Sequence, residues 1–475
     1  MDLDEKIGQL FVVAARDDVV RHVRDNHIGG VIWFESTAAN AARMNAEWQS
    51  IAGTPLLISA DLEAGMGMRF TDTTWWPPAM ALAATGDPSF AEEQARATAR
   101  EALAVGVQHI LAPVADVNVD PQNPVINTRS FGEDPRDVAR YVAAFVRGVQ
   151  DEGALACAKH FPGHGDTHID SHLSLPRLDV SRERLDAVEL VPFRAAIEAG
   201  VGSVMMGHLA VPALDDTPHL PATLSPQIIR LLRDEGFEGL VITDAMEMGA
   251  LIEHFDAGEA AVRAIEAGED QILCSADTDA AIAAVREAVR TGRIRESRID
   301  ESVERILRAK RGAAAAPGRR KRERRPKRPP LHIAERAITL VKDEHGLLPL
   351  KTNNLTAVVV SDFPEPNPLE EAVRLLNPKR VLTIDSTTKH ATAEGAIVML
   401  LALRPKSYAG RIAIPEAAKR LANRDTIAVS FGSPYVLGDF GTAVCAYGIQ
   451  PVLQRAAIRA IRGEAPISGR LPVTL

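Results

Sequence analysis

Eight short apolar runs, each followed by an Ala/Arg/Glu-rich stretch of helical period, fill the first 312 residues and leave few folds open. The runs are GQLFVVA, GGVIWF, PLLISAD, HILAPVADV, LACAKHF, SVMMGH, GLVITDA and QILCS. Read as strands of repeated β-α units, eight in succession favour a closed (β/α)8 barrel of the TIM type. A doubly wound sheet would announce itself with a Gly-rich turn after its first strand, and no GxGxxG follows GQLFVVA.

A chain of 475 residues is too long for one core, since single cores stop growing at roughly 250 to 300 residues. The apolar period breaks at RGAAAAPGRRKRERRPKRPP, residues 311–330, where Ala, Pro and Arg/Lys take over. Such a stretch reads as a solvated, self-repelling connector; its other reading is a patch for anions or nucleic acid. Beyond it, LHIAERAITLVKD, LTAVVVSD, KRVLTID, AIVMLLAL and TIAVSFGSPY again mix helix with strand. The expected organisation is a barrel over 1–312, a basic Pro/Arg-rich linker over 313–330, and a smaller α/β sandwich domain over 331–475. The second domain has no comparable cluster of titratable side chains, so packing, dimerisation or shaping of the barrel mouth is its expected work.

The formal charge of -9 argues against wholesale binding to nucleic acid or to an anionic membrane, and points to a small-molecule partner. Cys157, Cys274 and Cys445 are odd in number and embedded in apolar segments, as buried thiols of a reducing compartment would be. The acidic start MDLDEKIGQLF lacks the basic n-region of a secretion signal, and AIVMLLAL is far short of the roughly 20 residues that cross a bilayer. The expectation is a cytoplasmic protein without a membrane span; the oligomeric state is left open.

In a barrel of this kind the active site lies at the carboxyl ends of the strands, so the polar residues that end the apolar runs are the candidates. They are Asp61 and Glu63, Asp116 and Asn118, Lys159 and His160, His208, and Asp244. Five converging polar ends suit a hydroxyl-rich ligand. Asp244, alone among apolar neighbours in TDAMEM, is placed as a nucleophile or as a cap for the following helix. The densest stretch is KHFPGHGDTHIDSHLSLP, residues 159–176, whose Pro and Gly make it a loop. It reads as a catalytic loop, as a metal site using His164, His168 and His172, or as a polar surface loop. Within it, the spacing of Asp170 and His172 lets a carboxylate hold one imidazole nitrogen while the other faces substrate.

KHFPGHG at 159–165 followed by DSH at 170–172 resembles glycoside hydrolase family 3, in its β-N-acetylglucosaminidase branch and the two-domain subgroup of that branch. The resemblance covers nearly the whole chain. It implies a retaining exo-enzyme that removes terminal β-linked N-acetylglucosamine, with peptidoglycan fragments as substrate and no cofactor or metal. By the same resemblance Asp244 is the nucleophile of a covalent glycosyl-enzyme intermediate, His172 the general acid and later the base, and Asp170 its partner. Asp61, Arg69, Arg129, Lys159 and His160 match positions that hold the terminal sugar, and His208 matches a strand-end position that is near the site or structural. The family commonly reads D-x-E-G-G where this chain has Asp61-Leu62-Glu63-Ala64-Gly65, and Met66 to Met68 replaces a more polar run. Trp75 and Trp76 read as core beneath this loop, with stacking on a sugar as the alternative. Three other activities compete: a phosphorylase resolving the same intermediate with phosphate, a β-glucosidase of the same family, and a wall-fragment sensor without turnover.

Overall fold

The computed structural model describes residues 1–314, 331–363, 367–404 and 412–475. Eight parallel strands close on themselves in chain order: β1 (Phe11–Ala14), β2 (Gly30–Trp33), β3 (Leu57–Ala60), β4 (His109–Ile110), β5 (Leu155–Phe161), β6 (Ser203–Met206), β7 (Leu240–Ala245) and β8 (Gln271–Leu273). Closure is the pairing of Phe11 and Val12 on β1 with Ile272 and Leu273 on β8. All eight expected runs supply a strand, and the barrel expected from their alternation is present.

Two runs are read differently by the backbone. GQLFVVA begins in a helix, Leu3–Gln9, whose N-cap Asp2 and N3 Glu5 form a reciprocal capping box, so the strand starts only at Phe11. HILAPVADV pairs over His109 and Ile110 alone. Pro113 has no N–H to continue the ladder, and beyond it Val114 makes an isolated bridge to Lys159. The chain after β4 is therefore long and irregular, and it can turn Asp116 and Asn118 inwards, both of them buried.

The second domain is a six-stranded sheet of β9 (Thr339–Asp343), β10 (Leu355–Ser361), β11 (Arg380–Ile384), β12 (Ala396–Ala402), β13 (Thr426–Ser430) and β14 (Thr442–Cys445). Its order is β11-β10-β12-β13-β14-β9, parallel except for β9 against β14. The strand β14 lies in GTAVCAYG, which sequence periodicity had not marked. Helix Leu331–Ala337 packs on helix Ala79–Ala84 of the barrel, and Met80, Ala81 and Ala84 are buried in the core of the second domain. The C-terminal tail returns to the barrel: Arg470 N–H donates to Ala84 O at 2.9 Å and Glu133 N–H to Pro472 O at 3.2 Å. Gly132, at φ 148°, makes room for that approach, since a Cβ there would lie 2.6 Å from Pro472 O.

The helix Glu296–Ala314 runs up to the last described residue before the basic Pro/Arg-rich segment, and 315–330 lies outside the described residues. Cys157, Cys274 and Cys445 are buried and free. Among the described residues no helix is long and apolar enough to cross a membrane.

Candidate active site

The floor of the barrel mouth is a buried ion network. Lys159 Nζ donates to Asp61 Oδ1 and lies against Glu63 Oε1, both at 2.7 Å. Asp61 Oδ2 also accepts from Arg69 at 2.8 Å, and Arg129 grips Glu63 with a two-pronged pair at 2.8 and 3.0 Å. Burial pushes the Asp61 carboxyl up, but the charges of Lys159 and Arg69 outweigh it and hold the group at about 2. Glu63 is likewise held well below the usual carboxylate range by Arg129 and Lys159 against its burial. Lys159 in turn is raised, since its two carboxylates overcome desolvation. Two carboxylates and three cations thus stand ionised and geometrically fixed before any ligand arrives.

Asp116 organises the next layer. Its Oδ1 accepts the backbone N–H groups of His160 and His164 at 3.2 and 2.7 Å, and its Oδ2 lies 2.8 Å from His160 Nδ1. The register of β5 against β6 shifts between Lys159 and Phe161, so Lys159 and His160, although adjacent in sequence, both line the cavity.

Asp244 stands at the end of β7, and its Oδ1 accepts the N–H of Ala245 at 2.8 Å. It caps no helix: the next one, Gly249–Ile252, has Met248 at its N-cap. Burial pushes the Asp244 carboxyl up, and the imidazoles of His160 and His208, the Ala245 N–H and Lys159 together bring it below its ordinary value. It is a carboxylate at neutral pH. His172 Nδ1 lies 2.7 Å from Oδ1 of the buried Asp170, and the residue lines the cavity. The three loop histidines do not converge. His164 is bonded to Thr167 and Ser171, His168 to Asp120 and His172 to Asp170, and among the described residues no group of three or more His, Cys, Asp or Glu side chains is placed to hold a metal ion.

One cavity of about 360 Å³, within the usual size for a small-molecule site, gathers Asp61, Arg69, Arg129, Lys159, His160, His172 and Asp244. Asp170 stands behind His172 and does not line it. His208 is withdrawn as well: it is fully buried, with Nδ1 2.7 Å from Thr223 Oγ1 and Nε2 3.1 Å from Ala245 O. It braces the end of β7 beside Asp244 and makes no wall of the cavity, a structural place that strand-end position could not distinguish from a ligand contact. The two tryptophans divide: Trp76 is core at 1% exposure, whereas Trp75 lines the cavity.

Residues of the second domain close the cavity from the far side. Phe363, Arg404, Phe431, Tyr447 and Gln450 follow the carboxyl ends of β10, β12, β13 and β14, the end of a parallel sheet where ligands bind. Arg404 stacks over Phe363, with its guanidinium carbon 3.9 Å from the ring centroid. Asn118 donates to Tyr435 Oη at 2.9 Å, tying the loop that leads to Arg129 to this domain. None of these side chains was picked out from sequence; the signal available was the Gly that follows two of the strands, in SFGSP and AYGIQ.

Two buried imidazoles tie stability to pH. Burial holds His109, bonded to Ser203 inside the barrel, at about 3, and burial together with the neighbouring His160 holds His164 at about 4. Both folded values lie below the ordinary value near 6.5, so the unfolded chain binds protons that the folded one does not as pH falls from about 6.5 towards 4. Stability present above pH 6.5 is therefore expected to be lost across that window. The urea midpoint should fall steadily from pH 7 to pH 5, with a shallower slope in His109→Gln; equal slopes in both proteins would remove His109 from the account.

The Glycosyl hydrolase family 3 N terminal domain model matches residues 2–309. A beta-N-acetylglucosaminidase/beta-glucosidase of Cellulomonas fimi is 33% identical over the whole of this chain and 94% of its own. Among solved structures, a family 3 beta-N-acetylglucosaminidase from Paenibacillus sp. str. FPU-7 superposes with a TM-score of 0.89 at 33% identity, over 100% of this chain and 99% of that one. Beta-glucoside phosphorylase BglX superposes with a TM-score of 0.88 at 27% identity, over 100% of this chain and 93% of that one.

Proposed function

The chain belongs to glycoside hydrolase family 3, and from that premise we propose that it is a retaining exo-β-N-acetylglucosaminidase acting through Asp244, with His172 and Asp170 as its acid–base pair. The observation that carries the reading is one cavity holding both an ionised carboxylate, Asp244, and an imidazole whose far nitrogen is fixed by a buried carboxylate.

In this mechanism the Asp244 carboxylate attacks the anomeric carbon while His172 Nε2–H gives its proton to the leaving oxygen. The C–O bond breaks, the aglycone departs as an alcohol, and the sugar is held as an ester on Asp244. Water then attacks the same carbon from the face the aglycone left, His172 takes the proton of that water, and the carboxylate is regenerated. Two inversions give net retention of the β configuration. Asp170 fixes the tautomer and supports the imidazolium formed in the second step.

Asp61, Arg69, Arg129, Lys159 and His160 are read as the clamp on the terminal sugar, where charged groups fixed by one another meet hydroxyls without reorganising. Glu63 joins them as the carboxylate that sets Lys159 and Arg129 in place. The strands and the ion network close the inner end of the cavity, which suits a chain terminus and not a mid-chain cut. The aglycone then lies towards the wall of Phe363, Arg404 and Gln450. Peptidoglycan fragments are the proposed source of such termini, and the cytoplasm the proposed compartment.

The test is release of p-nitrophenol from the β-N-acetylglucosaminide and the β-glucoside, with the product anomer followed by NMR. Strong preference for the acetamido sugar and first appearance of the β anomer are expected. Equal rates would favour the β-glucosidase reading, first appearance of the α anomer would sink the double displacement, and no turnover would favour the sensor. A second reading, phosphorolysis, draws on the likeness to a beta-glucoside phosphorylase and on an acid–base group that, being an imidazole, does not repel an anion. Added phosphate should leave free N-acetylglucosamine as the product; its replacement by the sugar 1-phosphate would establish this second reading instead.

A further inference from the structure

The turn that carries Asp170 and His172 is fastened by another histidine, His164, to which the double displacement gives no task. His164 is 1% exposed, with Nδ1 2.7 Å from Thr167 Oγ1 and Nε2 3.1 Å from Ser171 Oγ. Thr167 Oγ1 also lies 3.1 Å from the His164 carbonyl oxygen, which can only accept. With the Thr167 hydroxyl proton assigned to that carbonyl, which also accepts from Asn123 Nδ2 at 2.8 Å, Thr167 Oγ1 accepts from Nδ1–H. A neutral imidazole has one donor and one acceptor, so Nε2 is left to accept and the Ser171 hydroxyl donates to it. The His164 main chain is itself anchored, its N–H donating to Asp116 Oδ1 at 2.7 Å.

The opposite side of the turn rests on the segment after the nucleophile. Gly249 N–H donates to His172 O and Ala250 N–H to Ser171 O, each at 3.2 Å. A Cβ on Gly249 would fall 2.6 Å from the carbonyl oxygens of both His172 and Leu173, an approach only glycine permits.

We infer that His164, acting through the Ser171 hydroxyl, is a positioning residue that locks the acid–base turn over the nucleophile strand. The inference rests on the reading of His172 as the general acid. A loop residue needs such a fixture, because a misplacement on the order of 1 Å at a reacting group can lower the rate on the order of 10²-fold. Proton donation matters most when the leaving group is a poor one, so loosening the turn must slow an alcohol leaving group far more than an acidic phenol.

The experiment compares kcat/KM for N,N′-diacetylchitobiose and for 2,4-dinitrophenyl β-N-acetylglucosaminide in wild type, Ser171→Ala, Ser171→Thr and His172→Ala. Loss of one positioning hydrogen bond in Ser171→Ala is expected to lower the chitobiose value by about tenfold and the dinitrophenyl value by less than about twofold. Ser171→Thr, which keeps the hydroxyl, should recover most of the chitobiose rate, and Ser171→Ala should stay folded under assay conditions with a modestly lower urea midpoint, since His164 Nε2 loses its donor. Equal losses of Ser171→Ala on both substrates, or no loss on either, while His172→Ala shows the leaving-group split, would overturn the latch and leave the acid–base reading standing. Absence of the split in His172→Ala would overturn that reading and the latch with it.

Discussion

Asp244→Asn is expected to lower kcat/KM on β-N-acetylglucosaminides by about 10⁴-fold or more, the scale on which removing a nucleophile acts in other covalent enzymes. The substitution is nearly isosteric, and the amide oxygen can still accept the Ala245 N–H now bonded to Asp244 at 2.8 Å. Folding should therefore be spared and the chemistry lost. Stereochemistry separates the residue roles. In Asp244→Gly, where the volume of the carboxylate is emptied, azide can attack the anomeric carbon from the vacated face, and an activated substrate should give the α-glycosyl azide. In His172→Ala the ester on Asp244 still forms, azide enters from the opposite face, and the product should be the β-glycosyl azide. Full activity of Asp244→Asn, or a β-azide from Asp244→Gly, would remove Asp244 from the nucleophile's place.

Lys159→Met should be the most destabilising single change at the site. Lys159 is 2% exposed and bridges Asp61 and Glu63 at 2.7 Å each. Removing the cation leaves two carboxylates facing one another in a buried place, and breaking a buried charge pair in this way costs about 3 to 5 kcal/mol. The urea midpoint reports it. The sign with pH is also set. In wild type the Asp61 carboxyl, held at about 2, contributes stability that is present above its unfolded value near 3.9 and is lost as pH falls towards 2. In Lys159→Met both carboxyls lose a cation that holds them down while Arg69 and Arg129 stay in place, so each titrates higher than in wild type and acidification should narrow the gap between the two proteins. Adding Glu63→Gln should restore neither stability nor activity, since it removes the repulsion but strips Arg129 of its two-pronged partner. If Lys159→Met unfolds at the wild-type midpoint, the network is not the buried unit described.

Much of the site was legible because barrels put their chemistry at strand ends, and strand ends can be read from where an apolar run stops. Asp61, Lys159, His160 and Asp244 were found that way, and all four line one cavity. The Asp170–His172 pair was read from its spacing in a His-rich loop, whereas Arg69 and Arg129 came from motif resemblance alone, since loop residues have no period to announce them. Strand-end position misplaced His208, whose imidazole turns to Thr223 and Ala245 O and away from the cavity. Burial at a strand end looks the same in sequence whether a side chain faces a ligand or braces its neighbour.

Alternation of period 2 and period 3.6 is written residue by residue, so the sequence by itself determined the eight β-α units, the break before a second domain and the polar ring at the barrel mouth. Local sterics and burial act over a few residues, and they are enough for that. Tertiary structure alone decided that Glu63 would orient Lys159 and Arg129, that Trp75 would face the cavity while Trp76 joined the core, and that His164 would meet the Ser171 hydroxyl between Asp170 and His172. It alone brought Phe363, Arg404, Phe431, Tyr447 and Gln450 against a barrel whose last strand ends at Leu273. Those contacts arise where helix Leu331–Ala337 docks on helix Ala79–Ala84 and the tail returns to Gly132. No local pattern encodes them, because a docked face is chosen by the shape and charge of a partner hundreds of residues away.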